Sequence, residues 1–315
     1  MPYVDVYVYV CVEVDRPCED PGVKTDEDRY DALTDEVAAL YDAGRQADAL
    51  ALLDAASDLT PWSAELAHLR ACLLGSLGQT QEALAVLRRE SDAGGWWAEP
   101  ILTEDDDLAG LQGLPEFQQV VALSRQRHVA DLTPPLVHLG DQPTRVVVAL
   151  HGAGQRATHA ARDWSGVLEL GCALVCVESS QLMSPMYRTW PDRQAARDDI
   201  ARALTQLPEE LRGLPLIAAG FSAGGRAALD WALTGLPQRA DGVLALAPAL
   251  RELPPSAANS LSPATVLIGT DDDLLDVVTS MTPELTGLGL AVRHLPGVAH
   301  HPPAHFGSLL AGYLS

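Results

Sequence analysis

The sequence predicts an α/β protein in which a mostly parallel sheet, flanked by helices, follows a separate all-α region. Beyond residue 133, short β-rich runs alternate with helical segments, a pattern typical of a parallel sheet covered on both faces. Between about residues 31 and 94 the chain is instead rich in Ala and Leu at helical spacing. With 315 residues, the chain is long enough for two domains of roughly 100–200 residues each.

Composition and charge exclude several classes of protein. Asp and Glu number 43 against 21 Lys and Arg, so the formal net charge is -22. Nucleic acid and anionic membrane surfaces are therefore not expected as partners, because the charges repel. No apolar run approaches the roughly 18 residues that span a bilayer, and no secretory signal is visible. The five cysteines are an odd number, which argues against a disulfide framework and predicts a cytoplasmic location.

The N-terminal segment, residues 1–30, is predicted to be a β-strand followed by an acidic linker. Val occupies every even position from Val4 to Val14, so a strand would carry a pure valine face. We expect it to be the edge strand of a sheet. A swapped strand that forms a homodimer is the alternative, because exposed edges pair readily with other chains. Residues 15–30 are acidic and contain Pro and Gly, as linkers do.

The helical region, residues 31–130, contains an internal repeat with an offset of 34 residues. Gly44 corresponds to Gly78, and Ala49 to Ala83, so each unit is a helix, a turn and a second helix. This spacing resembles the tetratricopeptide repeat, and the following segment resembles those that close such arrays in bacterial proteins. Three positions depart from the repeat pattern: Val37, Glu90 and Gly95. Two units are fewer than the roughly three that stand alone, so the array should pack on the rest of the chain.

A nucleophile motif follows the predicted strand PLIAAG. The residues from Gly220 to Gly224 read G-x-S-x-G and lead directly into a helix. Glycines flank the serine because so sharp a strand-to-helix turn leaves no room for side chains. Ser222 would therefore present its hydroxyl above the sheet, where the amides at the start of the helix stabilise negative charge.

A serine nucleophile needs a base and an acid, and both follow in the required chain order. The acidic run Asp271–Asp273 comes after the strand ATVLIG, and His300 and His301 come after the strand AVRHL. Upstream, the strand RVVVAL ends at the glycine-rich loop 151–155. A loop in this position supplies the second amide of an oxyanion hole.

Residues 131–315 resemble an α/β-hydrolase, of the type of carboxylesterases and phospholipase-like esterases. The resemblance implies one acid, one base and two oxyanion amides: Asp272, His300, Ala153 and Ala223. Asp271 and Asp273 stay open as alternative acids, and His301 as an alternative base. The loop ends in Gly-Gln where the family has Gly-Asp, and Ala223 stands where Gln is frequent.

The substrate site is predicted in the loop 179–192, after the second strand. Four apolar side chains would form its acyl wall: Met183, Met186, Tyr187 and Trp190. Arg188 would lie at the rim, and an alternative role for Trp190 is to anchor the loop. No large lid is inserted in the hydrolase part, so the helical region is the candidate cover for the site.

Metal binding is the alternative use of the C-terminal histidines. His300, His301 and His305 lie near the three aspartates in sequence, but the triad order already explains His300. We therefore predict no metal and no cofactor. The remaining histidines carry no motif: His68, His128, His138, His159 and His294.

Taken together, the motifs predict a serine hydrolase that cleaves a small acyl ester or thioester through an acyl-enzyme intermediate. A serine peptidase would use the same triad. The alternative from another class is a tetratricopeptide-type adaptor that holds a protein partner in its repeats and carries a weakly active or inactive hydrolase domain.

Overall fold

The structure is a computed structural model that describes residues 25–56, 58–128, 132–254 and 260–314. The predicted valine-faced strand, and with it the homodimer hypothesis, lies outside the described residues. Among the helices that the structure describes, none combines the length and the apolarity that a membrane crossing requires.

Six α-helices form the first part of the described chain. They are α1 (Asp26–Asp42), α2 (Gln46–Ala55), α3 (Ser63–Ser76), α4 (Thr80–Ala93), α5 (Glu99–Thr103) and α6 (Pro115–Arg127), with 3-10 turns at Thr60–Trp62 and Asp106–Leu111. Helix α1 packs on α2 and α3 packs on α4. The turns within these pairs pass through Gly44 and Gly78, whose φ angles of 70° and 73° favour glycine. The predicted helix pairs are present, and the tetratricopeptide resemblance stays a prediction.

The N-terminal boundary of the helical region differs from the prediction. Residues 26–30 were predicted as linker, but they form the first turns of α1. Thr25 Oγ1 accepts a hydrogen bond from the N–H of Asp28, and the Asp28 carboxylate accepts one from the N–H of Thr25. This capping box, together with acidic side chains beside the positive end of the helix dipole, makes the acidic run a helix start.

A seven-stranded sheet follows the helices. Its strands are β1 (Leu136–His138), β2 (Arg145–Leu150), β3 (Cys172–Val177), β4 (Leu216–Phe221), β5 (Gly242–Leu246), β6 (Ala264–Gly269) and β7 (Ala291–Leu295). Their order is β1-β3-β2-β4-β5-β6-β7, and of these described strands β1 alone is antiparallel to its neighbour. The six predicted strands are confirmed. Strand β1 was not predicted, because three half-buried edge residues leave no clear alternation.

Helices cover the sheet, and the reactive side chains lie at one edge of it. The remaining helices are α7 (Ala157–Trp164), α8 (Arg193–Thr205), α9 (Ser222–Thr234), α10 (Leu275–Gly287) and α11 (Phe306–Leu314), with 3-10 turns at Ser165–Leu170 and Glu209–Leu211. Every residue of β3 and β4 is buried, as expected for strands with both faces covered. Loops that leave the carboxyl ends of parallel strands meet at the same edge, which is where ligands bind in such sheets.

The helical region contacts this carboxyl edge. Asp31 of α1 lies 3.1 Å from His159 Nε2, near the start of α7, which follows β2. The N–H of Ala98 donates to the carbonyl oxygen of Met183, in the loop after β3, at 2.6 Å. The helical region therefore contacts the edge of the sheet at which the substrate site is predicted, as expected if the helices cover that site.

Candidate active site

Ser222 lies at the sharp turn between β4 and α9. Its φ angle of 53° is in the left-handed region, which costs a non-glycine residue about 1–3 kcal/mol. A Cβ at Gly220 would lie 2.4 Å from the carbonyl oxygen of Gly224, and a Cβ at Gly224 would lie 2.3 Å from that of Leu150. Both glycines are therefore required for the turn that exposes the serine.

Ser222, His300 and Asp272 form one hydrogen-bonded chain. His300 Nε2 lies 3.0 Å from Ser222 Oγ, and His300 Nδ1 lies 3.0 and 3.1 Å from the two carboxylate oxygens of Asp272. The Asp272 carboxylate is buried and also accepts a hydrogen bond from the N–H of Leu274. Because Nδ1–H donates to Asp272, the lone pair of Nε2 faces the serine hydroxyl.

The loops that carry the acid and the histidine are tied to each other. The N–H of Thr270 donates to the carbonyl oxygen of Leu295, and that of Asp271 to the carbonyl oxygen of Val298, both at 3.0 Å. A Cβ at Gly269 would lie 2.0 Å from the same Val298 oxygen, so the close approach needs glycine there. These contacts hold the two loops in fixed relative positions.

The alternative acids and the alternative base point elsewhere. Asp271 and Asp273 are exposed, and the Asp271 carboxylate accepts a hydrogen bond from the hydroxyl of Thr270. His301 is also exposed and donates from Nδ1 to the carbonyl oxygen of Pro302 at 3.0 Å. Of the residues predicted for these roles, the structure brings Asp272 and His300 to the serine.

The two predicted oxyanion amides lie on the loop after β2 and at the start of α9. Ala153 is exposed in that loop, and Ala223 is the residue after the serine. Within the described residues, neither backbone N–H donates to another protein group. Free amides at a helix start and in a glycine-rich loop are the donors that an oxyanion hole uses.

The loop after β2 is held by contacts within it and to the loop 179–192. Gln155 Oε1 accepts a hydrogen bond from the N–H of Gly152 at 2.9 Å, so Gln155 bonds back to its own loop. Gly154 has a φ angle of 76° and donates its N–H to the carbonyl oxygen of Arg188 at 2.8 Å. No motif in the sequence predicted this role for Gln155.

His151 is a buried, neutral support for the same loop. Its Nδ1–H donates to the carbonyl oxygen of Gly152 at 2.7 Å, and its Nε2 accepts the N–H of Ser179 at 3.2 Å. Burial lowers the pKa of His151 to about 4, and the hydrogen bond to Gly152 opposes this shift. In the neutral imidazole, Nδ1 is thus the donor and Nε2 the acceptor, and each has one hydrogen-bond partner.

A buried carboxylate that sequence reasoning missed lies behind the loop. Glu178 Oε1 lies 3.0 Å from Nε of both Arg156 and Arg188, and its other oxygen accepts the N–H of Ala157 at the start of α7. Arg188 is 3% exposed and so does not lie at a substrate rim as predicted. The available signal was the glutamate itself, placed directly after the apolar strand CALVCV.

Met183 and Met186 of the predicted acyl wall contact the helical region. Glu65 of α3 accepts hydrogen bonds from the hydroxyl of Ser184 at 2.6 Å and from the N–H of Met186 at 2.7 Å. The Met186 side chain packs against the buried cluster of α1 and α2, and Met183 accepts the N–H of Ala98. The loop is fixed by long-range contacts that its own sequence does not reveal.

The two aromatic residues of the predicted wall have different positions. Trp190 is 2% exposed, and its indole N–H donates to the carbonyl oxygen of His151 at 2.8 Å, which supports its alternative role as an anchor. It also borders a cavity of about 260 Å³ between α8 and α9, whose wall includes Arg226 but not Ser222. Tyr187 lies against the loop after β2, its ring 3.1 Å from where a Cβ of Gly154 would be.

Helix α1 carries two neighbouring acidic side chains, Asp31 and Asp35. Desolvation and the neighbouring Asp31 raise the pKa of the Asp35 carboxyl, and His301 opposes this shift. The same helix contacts α7 through Asp31.

Comparison with known proteins identifies the fold. Residues 29–131 match a family model described as the N-terminal domain of A/B hydrolase-like proteins. No curated protein matches the sequence. The helical region is thus of a kind found in front of hydrolase domains. Together with the sheet order and the strand–serine–helix turn, it shows an α/β-hydrolase fold: a mostly parallel sheet flanked by helices.

Several solved structures are similar in outline. An uncharacterised protein from Bacillus cereus ATCC 10987 has a TM-score of 0.48 and 23% identity, with 90% of this chain and 96% of that chain covered. The Bacillus cereus carboxylesterase has a TM-score of 0.46 and 16% identity, over 57% of this chain and 92% of that one. Acyl-protein thioesterase 2 of Zea mays has a TM-score of 0.40 and 17% identity, over 57% of this chain and 99% of that one.

Proposed function

We propose that the chain is a serine hydrolase that cleaves a carboxylic ester or thioester through a Ser-His-Asp triad. The observation that carries the proposal is the unbroken hydrogen-bonded chain from Ser222 Oγ through His300 to the buried Asp272 carboxylate. A serine hydroxyl is a weak nucleophile on its own and is activated by a base held in this way. The strained turn at Ser222 and the two free amides support the same function.

In the first half of the reaction, Ser222 Oγ attacks the acyl carbon while His300 Nε2 takes the hydroxyl proton. Asp272 holds the imidazole in the required tautomer and stabilises its positive charge. The N–H groups of Ala153 and Ala223 donate to the oxyanion of the tetrahedral intermediate. When the intermediate collapses, the alcohol or thiol leaves with the proton from His300, and the acyl group stays on Ser222.

In the second half, His300 takes a proton from water, and the resulting hydroxide attacks the acyl-serine. Collapse of the second tetrahedral intermediate releases the carboxylic acid and returns the proton to Ser222. Each step uses the same three side chains and the same two amides. The substrate, water and groups of this chain account for every bond and proton in the reaction.

The motifs favour an ester or thioester substrate over a peptide. The histidine loop, the oxyanion loop and the serine turn resemble those of carboxylesterases and related esterases. Tyr187 is the residue of the predicted acyl wall that lies beside the oxyanion loop, so it is our candidate substrate contact. The adaptor alternative rests on the repeats alone, and a cytoplasmic location stays a prediction from the cysteine count.

Fluorophosphonate labelling tests the proposal directly. We expect intact-mass measurement to show one adduct on the wild type and none on Ser222→Ala. Ser280→Ala, an exposed serine of α10, is the matched control and should label like the wild type. A panel of esters and thioesters of increasing acyl length then measures the pocket. A folded wild type that takes no adduct would contradict the proposal and favour the adaptor.

A further inference from the structure

Glu178 joins the two loops that meet at the proposed oxyanion hole. It follows β3 directly and is 3% exposed. Its Oε1 lies 3.0 Å from Nε of both Arg156 and Arg188, and its Oε2 accepts the N–H of Ala157. Arg156 and Ala157 lie where the loop after β2 ends and α7 begins, whereas Arg188 belongs to the loop 179–192. The carboxylate therefore holds both loops.

We propose that Glu178 is a positioning residue for the oxyanion amide of Ala153. The inference rests on the proposed hydrolase function, because it concerns the N–H that receives the developing negative charge. Glu178 itself does not touch the substrate. It acts through Arg188 and through the backbone at the start of α7.

The peptide groups on both sides of Ala153 are held by hydrogen bonds. The carbonyl of Gly152 and the N–H of Ala153 belong to one planar trans peptide and point in opposite directions. His151 Nδ1–H donates to that carbonyl oxygen at 2.7 Å, so it also sets the direction of the Ala153 N–H. In the next peptide, the N–H of Gly154 donates to the carbonyl oxygen of Arg188 at 2.8 Å. The direction of the oxyanion amide thus depends on where His151 and the Arg188 backbone lie.

Glu178 in turn determines where Arg188 lies. The Arg188 side chain is buried, its Nε faces Glu178, and its Nη1 donates to the carbonyl oxygen of Ser179 at 2.7 Å. The N–H of Ser179 donates to His151 Nε2 at 3.2 Å, so the residue next to Glu178 also orients the imidazole. Without the carboxylate, the buried guanidinium would lose its counter-charge, and we expect the backbone that accepts the Gly154 N–H to shift.

Folding stability alone does not account for these buried charges. Desolvation of two charges offsets most of their attraction, and apolar side chains of similar volume are often at least as stabilising. The benefit of the paired charges is instead a defined geometry, here that of the oxyanion loop. A misplacement of about 1 Å caused by a distant substitution can lower an enzymatic rate about 100-fold.

Two variants separate positioning from folding. Glu178→Gln keeps the length of the side chain without its charge, and Glu178→Asp keeps the charge on a side chain one methylene shorter. We expect kcat per labelled serine to fall roughly 10–100-fold in each, with a much smaller change in KM. Labelled serine is measured as the fluorophosphonate adduct at saturation, so a misfolded fraction lowers the adduct but not kcat per labelled serine. The exposed Glu169→Gln is the matched control and should behave like the wild type.

Inhibition by a trifluoromethyl ketone is the second measurement, because the adduct of the ketone with Ser222 carries an oxyanion like that of the tetrahedral intermediate. The inhibition constant should rise in both Glu178 variants by about the factor by which kcat/KM falls. The pH dependence of kcat/KM should keep its wild-type midpoint, since His300 keeps its contacts with Ser222 and Asp272.

An unchanged kcat per labelled serine in both variants would overturn the positioning role. A shifted midpoint would do the same, because it would place the effect at His300. Loss of the adduct from both variants would assign Glu178 to folding and would also overturn the proposal. Glu178→Asp keeps a negative charge beside the two arginines, so its fold should survive. A wild type that takes no adduct would instead contradict the proposed hydrolase function itself, so the two failures are distinguishable.

Discussion

Asp272 is one of three consecutive aspartates, yet it alone contacts His300. In Asp272→Asn, the side-chain amide can donate to Nδ1 and stabilise the wrong imidazole tautomer. We expect kcat for ester hydrolysis to fall about 10⁴-fold with little change in KM. Asp271→Asn is the matched control, because its carboxylate is exposed, and it should keep the wild-type kcat. Equal losses in both variants would contradict the assignment of the acid.

His151 makes the stability of the protein depend on pH. Its pKa is about 4 in the folded protein, against the ordinary histidine value of 6.5 in the unfolded chain. Below pH 6.5 the unfolded chain therefore binds a proton that the folded protein does not. The contribution of His151 is complete above this pH and is lost as the pH falls towards 4, by up to about 3 kcal/mol.

Urea unfolding between about pH 7 and about pH 4 measures this contribution. His151→Gln stays neutral throughout, so the loss of stability on acidification should be smaller in this variant than in the wild type. The exposed His294→Gln should follow the wild type. Parallel curves for wild type and His151→Gln would show that His151 is not buried in its neutral form.

At the scale of elements, the turn between β4 and α9 depends on Gly224. A Cβ there would lie 2.3 and 2.4 Å from the carbonyl oxygens of Leu150 and His151, so the backbone must shift. Overpacking typically costs about 1–3 kcal/mol of folding stability, and we expect Gly224→Ala to lose at least this much. The variant should also fail to react with the fluorophosphonate. Gly312→Ala, in open space on α11, should instead stabilise by about 0.5–1 kcal/mol. Thermal unfolding compares the two, and equal shifts would contradict the prediction.

The contact between α3 and the loop 179–192 depends on Glu65. Glu65→Ala leaves the buried donors of Ser184 and Met186 without an acceptor, which costs about 1–3 kcal/mol. A loosened loop should raise KM, whereas the fraction of Ser222 labelled at saturation should hold. Glu82→Ala, an exposed glutamate of α4, is the control for both measurements. An unchanged KM would show that the loop does not border the substrate.

Sequence patterns predicted well those elements that depend only on residues close together in the chain. The strand–serine–helix turn needs only neighbouring residues, and the parallel strands β2 to β6 are mainly apolar runs. The same patterns missed Glu178 and misplaced Arg188, because the buried ion pair joins two residues of one connecting segment that are ten positions apart in the chain. They also missed the Thr25 capping box, where an acidic run resembled a linker.

At the scale of the whole molecule, the net charge of -22 should act on the substrate. An ester that carries a carboxylate on its acyl chain meets a repulsive field, which salt screens over about 10 Å at 0.1 M. We expect kcat/KM for such an ester to rise several-fold with ionic strength, within the about 10–10³-fold range of electrostatic effects on association. A neutral ester of the same length is the control. A fall with salt would instead point to binding of the carboxylate by Arg226, in the wall of the cavity that Trp190 borders.

The arrangement of the two regions was the least accessible feature in the sequence. The number of predicted repeats led us to expect that the helices need a partner surface, but did not indicate which one. The surface is set by single residues far apart in the chain, such as Asp31 on His159 and Glu65 on Ser184. Each of these looks like an ordinary surface residue of its own helix or loop.

The loop 179–192 donates hydrogen bonds to Glu65 and accepts one from Ala98, and these contacts restrict how this proposed hydrolase can be re-engineered. A loop transplanted from another enzyme would leave the Glu65 carboxylate and the Ala98 amide without their present partners. If the helices were replaced and the loop kept, the hydroxyl of Ser184 would lose Glu65 as its hydrogen-bond acceptor. A chimaera must therefore exchange the helical region and the loop 179–192 as one unit.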